Sequence, residues 1–201
     1  QEYFAIFVFI GITLWDFFNK TLLQSVRVIK TNKPIVSKVY IPKFILLIVR
    51  MGVNGFKMFI SLMIIIAMLG VWRVKLTWNV IYVIPILITL MVIVFGFGCF
   101  LLHYGVFVED LSNVLNIVLR FLFYLTGVFW NIMDRLPAPY NVYIGRGNPI
   151  AFLITSMRDC VIYGSTPHRK LLLLWFVVGV IISILGVRKI YKNENSYVKV
   201  I

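Results

Sequence analysis

Between residues 111 and 131 the polar side chains keep a helical rhythm. Asn113, Asn116, Arg120, Tyr124, Gly127 and Asn131 recur at spacings of 3, 4, 4, 3 and 4. On an α-helix these positions form one stripe. A shorter stripe, Arg50, Asn54, Lys57 and Ser61, runs at spacings of 4, 3 and 4 through another apolar stretch. A polar stripe is costly against lipid and belongs against a partner helix or a wet passage. Arg50, Lys57 and Arg120, with no acid at the stripe positions, suit an anionic passenger such as a phosphate-bearing headgroup. Phe121, Phe123, Tyr124, Phe129 and Trp130 offer faces on which sugar rings stack. The plainer alternative is helix–helix packing, with the cations snorkelling to the cytoplasmic interface.

Catalytic patterns are missing from the sequence. It has no GxxxxGK[ST] loop, so ATP is not bound by that route, and no HExxH or GxSxG. His103 and His168 lie in distant segments with no cysteine or carboxylate cluster beside them, so no metal site is expected. Glu109 and Asp110 are adjacent, and neighbours do not face each other on a helix; a helix start beside Ser112 suits them better than acid–base work. Asp16, placed near the cytoplasmic end of its span, is spaced for a local ion pair with Lys20. Cys99 and Cys160 make no disulfide framework.

The elements that must carry these stripes are membrane spans. The chain is 61% hydrophobic, with mean hydropathy +0.96. Its apolar runs predict an all-α, polytopic fold with five spans, at about 3–22, 46–72, 79–102, 111–131 and 171–188. Each suffices for a hydrocarbon core of ~30 Å at ~1.5 Å per residue. The net charge of +13 follows membrane topology rather than nucleic-acid binding. Lys20, Arg27, Lys30, Lys33, Lys38 and Lys43 follow the first span without an acid, and Arg188, Lys189, Lys192 and Lys199 follow the last. Both clusters belong on the cytoplasmic side. An odd span count then puts the first residue outside; a preceding span would make six. Trp15, Trp72, Trp78, Trp130 and Trp175 are expected near span ends, where indoles favour the headgroup region.

Two segments are neither span nor simple connector. Residues 132–170 hold "PIAFLITSMRDCVIYG", whose apolar run is too short to cross, so an interfacial or re-entrant helix pair is expected on the outer side. Asn148 and Pro149 suit the cap and first turn of one of these helices. On the cytoplasmic side lies "NKPIVSKVYIPKFI", Asn32 to Ile45. Pro34 fits a first turn and Pro42 closes roughly two turns. Ile35, Val36 and Val39 are expected on one face, with Lys33 and Lys38 off it. By its residues alone this is a short amphipathic helix at the membrane surface.

The ordered segments "GITLWDFF", "TNKPIVSKVYIPKFIL", "VFVEDLSNVLNIVLRFLFYLTGVFW", "LP" and "NPIAFLITSMRD", with a last span ending in basic residues, cover nearly the whole chain. Together they resemble the membrane subunit of an ABC-2 type exporter of surface polysaccharide, the teichoic acid and O-antigen exporter family. The chain departs from that pattern at Glu109, where a base often precedes the Asp, and at Gly127, where Pro often follows the Thr.

The resemblance implies a single ABC-2 transmembrane domain over residues 1–201, lacking the family's N-terminal amphipathic helix and first span. It implies a homodimer in the bacterial cytoplasmic membrane, paired with two copies of an ATPase subunit. ATP and Mg would sit on that partner, with no cofactor in this chain. Asn32, Lys33, Pro34, Ile35, Lys38, Val39, Tyr40 and Pro42 would form the helix that docks on the ATPase, with Glu109 and Asp110 as a second contact. The passenger would be a lipid-pyrophosphate-linked polymer, moving past Arg50, Asn54, Lys57, Asn116, Arg120, Phe121, Tyr124 and Trp130. Two alternatives stand beside this reading. One is a membrane-embedded transferase acting on a lipid-linked sugar, with Asp16, Asp134 and Asp159 as scattered candidates. The other is an ABC-2 exporter of a different substrate.

Overall fold

The computed structural model describes residues 3–36, 38, 41–135, 137–194 and 196–197. In chain order its helices are α1 (Phe4–Thr31), α2 (Lys33–Val36), α3 (Lys43–Val71), α4 (Val83–Phe107, entered through a 3-10 turn at Trp78–Tyr82), α5 (Leu111–Leu125), α6 (Ile132–Arg135), α7 (Tyr140–Gly147), α8 (Pro149–Val161) and α9 (Arg169–Lys192). No strand occurs among the described residues. The expected all-helical, polytopic architecture is the one observed. α1, α3, α9 and the run Trp78–Phe107 are long and apolar enough to cross a membrane.

α1 outruns the expected span of 3–22. Its 28 residues reach ~42 Å at ~1.5 Å each, beyond the ~30 Å of a hydrocarbon core. The basic stretch after residue 20 contains no Gly or Pro, so nothing in the backbone stops the helix there. It ends at Asn32, whose side-chain amide donates to the Val28 carbonyl at 2.6 Å. Asp16 therefore sits near the middle of α1 rather than near its cytoplasmic end. The expected ion pair with Lys20 is present at 2.7 Å. Trp15 is likewise mid-helix and buried, with its ring 5.4 Å from those of Phe18 and Phe123. It is a core residue, whereas Trp78 lies exposed in the turn before α4, as expected for an interfacial indole.

The segment expected to span over 111–131 is shorter. α5 has 15 residues, ~22 Å, and leaves the helix at Thr126. Gly127 takes φ +66 there, and a Cβ on it would lie 2.9 Å from the Trp130 carbonyl. The polar stripe of this segment thus ends at Tyr124; Gly127 and Asn131 belong to the following turn and connection.

α1 is the central element. It packs along α3 and α4, and also touches α5 and α8, while α9 lies against α4. Ile6, Ile10, Leu14 and Phe18 of α1 meet Ile86, Leu90 and Ile93 of α4 and Leu153 and Ile154 of α8 in one apolar core. α4 and α9 approach almost backbone to backbone. A Cβ on Gly96 would lie 3.0 Å from the Ser183 nitrogen, and one on Gly186 would lie 2.7 Å from Cys99 Cβ. Ser183 Oγ lies 3.0 Å from the Val92 carbonyl across this contact and 2.8 Å from the Gly179 carbonyl of its own helix.

At the end opposite the basic clusters, α7 and α8 form the expected short helix pair. Asn148 caps α8, its Oδ1 accepting from the Ile150 and Ala151 amides, and Pro149 follows it. The Asn148 amide also donates to Thr126 Oγ1 at 3.3 Å. Ten residues on, Arg158 is 3% exposed. Its guanidinium donates to the carbonyls of Phe7 at 3.0 Å, Gly127 at 2.9 Å and Val128 at 2.6 Å, and lies 3.5 Å from the centre of the Phe7 ring. The α5 turn is therefore held from both ends of α8.

Candidate functional site: a cationic seam between α1, α3 and α5

The long α1 carries its own polar stripe. Lys20, Gln24, Arg27 and Thr31 are spaced 4, 3 and 4, the rhythm of Arg50, Asn54, Lys57 and Ser61 on α3. The two stripes meet. Asn54 is 3% exposed, and its side-chain nitrogen donates to Thr21 Oγ1 at 3.1 Å and Gln24 Oε1 at 3.0 Å. Its Oδ1 is buried and accepts no hydrogen bond among the described residues. The same stripe of α1 also reaches α5, where Arg27 Nε donates to Ser112 Oγ at 2.7 Å.

Three cavities open along this seam. One of 330 Å³ is lined by Gln24, Arg27, Arg50, Ser112 and Asn116, with Leu23 and Thr31. One of 100 Å³ lies beside Asp16, Lys20, Asn54, Lys57 and Ser61. One of 280 Å³ holds Arg27, Lys30, Glu109 and Ser112. The largest places two guanidinium-bearing side chains, two amides and two hydroxyls around one space. Guanidinium forks bind phosphate and carboxylate oxygens bidentately, and the amides and hydroxyls supply further donors.

The sequence-predicted pathway residues divide. Arg50 and Asn116 line the same cavity, Asn54 sits between the α1 and α3 stripes, and Lys57 lines the neighbouring cavity. Arg120, Phe121 and Tyr124 line none of these three cavities. They lie on an open face of α5, with Phe121 and Tyr124 about as exposed as each other, 69% and 70%. Trp130 is half-buried in the turn after α5. Gln24, Arg27 and Ser112 were not among the predicted pathway residues. The 4, 3, 4 spacing that marks α3 would have found the α1 pair once the helix was followed past residue 22.

Between Asn32 and Pro42 the described residues include one helical turn, α2, and residues 37, 39 and 40 of the expected two turns lie outside them. Pro34 is in that turn as expected, and Pro42 stands before α3 with extended backbone. Ile35 is 49% exposed while Val36 is buried, so they do not share a face: consecutive residues on a helix are offset by ~100°. Lys33 and Lys38 are exposed; Val39 and Tyr40 lie outside the described residues. Glu109 and Asp110 are exposed at the start of α5, where the Asp110 carbonyl accepts from the amides of Asn113 and Val114.

No carboxylate cluster resembling a transferase centre forms among the described residues. Asp16 is paired with Lys20 on α1, Asp159 is in α8, and the Asp134 side chain lies outside the described residues. No group of three His, Cys, Asp or Glu side chains converges among the described residues.

No protein-family model matches the chain. Two proteins from Klebsiella pneumoniae, each named O-antigen export system permease protein RfbA, are 22% identical to it over 200 and 199 residues. Each alignment covers 98% of this chain and 76% of the relative. This similarity fits an ABC-2 type polysaccharide-exporter permease, the resemblance carried by the motifs.

Proposed function

From the similarity to O-antigen export permeases, we propose that this chain is the transmembrane subunit of an ATP-driven ABC exporter. It moves a lipid-linked, anionic cell-surface polysaccharide, O-antigen-like or teichoic acid-like, across the bacterial cytoplasmic membrane. The observation that carries this reading is the 330 Å³ cavity at the basic end of the bundle, where Arg27, Arg50, Gln24, Ser112 and Asn116 converge. A cavity with two guanidinium groups and no carboxylate among its described lining residues, set within a helix bundle, suits a phosphate-bearing headgroup entering from the cytoplasmic leaflet.

Two further features support the assembly. Arg120, Phe121 and Tyr124 occupy a face of α5 that this chain leaves open. An arginine on a membrane helix is costly against lipid, so that face suits a second copy across a shared passage. Ile35, Lys33 and Lys38 are exposed together at the basic end, directly after α1. They suit docking of a separate ATPase, which holds ATP and Mg, with two copies serving the dimer. Glu109, beside Lys30 and Arg27, adds a second surface there.

The test is reconstitution of the chain with its ATPase partner in liposomes loaded with the lipid-linked polymer. ATP-dependent export that is lost on charge reversal at Lys33 and Lys38, with the chain still folded, supports the reading. Absence of a stable complex, with ATP hydrolysis indifferent to those reversals, overturns it.

A further inference from the structure

The chain does not end its contacts with α9. Beyond Lys192 it turns back under the basic end of the bundle, and Tyr197 is fully buried there, at 0% exposure. Its hydroxyl lies 2.7 Å from His103 Nδ1, and its ring is 5.9 Å from the rings of both His103 and Phe107 near the end of α4. Around it stand Val28 and Ile29 of α1, Leu47 of α3, Leu102 and Val106 of α4, and Ile190 of α9. Three residues earlier, Glu194 Oε1 is 3.5 Å from Lys43 Nζ, with both side chains buried. Lys43 is the first residue of α3, and its Nζ also donates to the Ile41 carbonyl at 3.0 Å.

This segment joins the ends of four membrane helices in one apolar cluster. It also contributes a buried carboxylate to a buried ammonium. Burial, with Glu194 nearby, pushes the Tyr197 phenol up, so the hydroxyl keeps its proton beside His103. Lys43 follows Pro42 directly, at the point where the segment 32–42 becomes α3.

We infer that Glu194 and Tyr197 are positioning residues for coupling. They fix the root of α3 to α4 and α9, so that a push on the segment before Pro42 shifts the membrane helices instead of bending the chain at Lys43. This rests on the exporter reading. Its residues are distinct from the cationic cavity and from the exposed ATPase-docking side chains.

The experiment uses the full chain reconstituted with its ATPase partner, measuring ATP hydrolysis and polymer export in the same liposomes. Glu194→Gln and Tyr197→Phe should leave ATP turnover near wild type while export per ATP falls roughly tenfold. The exchanged pair Lys43→Glu with Glu194→Lys should recover most of the export lost in Glu194→Gln. Tyr197→Phe keeps the ring and its packing, so it reports on the hydroxyl even if Glu194→Gln folds poorly. A purely structural role would lower protein yield, ATP turnover and export together, and that result overturns the proposal. Wild-type export per ATP in both single variants, or an exchanged pair no better than Glu194→Gln, also overturns it. If the wild-type chain forms no complex with an ATPase, the exporter reading falls and this proposal with it. If the wild type exports and the variants match it, only this proposal falls.

Discussion

Arg27 Nε donates to Ser112 Oγ at 2.7 Å, joining the last turns of α1 to the first turn of α5. The bond does more than hold two helices together. It fixes one edge of a guanidinium whose remaining donors border the 330 Å³ cavity shared with Arg50 and Asn116. A side chain already held in place loses less rotamer freedom when an anion binds.

Arg27→Gln and Arg50→Gln should each weaken capture of a phosphate-bearing passenger while the chain still folds. The expected change is a rise of roughly tenfold in the half-saturating concentration of the lipid-linked substrate, from loss of a charge-assisted bond worth ~1.5–3 kcal/mol. Ser112→Ala should do the same to a smaller degree, since it frees Arg27 without removing it. Substrate titration of ATP hydrolysis at two salt concentrations checks this: the wild type should lose affinity with salt more steeply than either arginine variant.

Arg120 offers a cleaner separation of passage from packing. It is exposed on α5 and lines none of the three seam cavities, so Arg120→Gln should cost within about 0.5 kcal/mol of stability. Combined with Lys57→Gln, it should abolish polymer export while melting in detergent is unchanged. Unaltered export in the double variant would exclude both side chains from the passage.

Arg158 should behave in the opposite way. Arg158→Ala strands the carbonyls of Gly127 and Val128, each at a cost on the order of 1–3 kcal/mol where it stays buried and unpaired, and removes a second bond from the helical carbonyl of Phe7. Arg158→Lys keeps the charge but lacks the planar fork that reaches three acceptors. Both variants should melt well below wild type, with the alanine variant lower, and the difference should persist at high salt because the acceptors are neutral.

Gly105→Ala tests the other long contact of α1. A Cβ there would collide with the backbone of Val26, including its carbonyl oxygen, which no rotamer change relieves. Overpacking of this kind costs ~1–3 kcal/mol. Thermal unfolding followed by tryptophan fluorescence should show the loss, whereas Gly52→Ala, with no neighbouring atom within 4 Å, should melt near wild type or slightly above it.

Much of this arrangement is legible in the sequence because a bilayer demands long apolar runs. Four of the expected spans are helices of full crossing length, and the Asn148–Pro149 start of α8 follows from capping chemistry alone. Helix ends are harder to read. Hydropathy stops the first span at the cations after residue 20, but a helix ends where the backbone is interrupted, and here that is Asn32. The same rule works in reverse at Gly127, which cuts α5 short inside an apolar stretch. Arg50 and Asn116 were found by stripe spacing, while Arg27 and Gln24 were hidden by the misplaced end of α1. Tyr197 carries no local signal: "YKNENSYVKV" reads as a polar tail, and its burial depends on His103, 94 residues earlier.

The contact between α4 and α9 constrains what can move. Gly96 and Gly186 bring the two backbones together, and Ser183 Oγ sits within hydrogen-bond reach of a carbonyl on each helix. Parting the pair would strip both backbones of close contacts that no side chain could reach across to replace. These two helices therefore hold together as one rigid pair. Polar groups able to exchange partners lie instead on the cavity-lined side, where α3 and α5 meet α1.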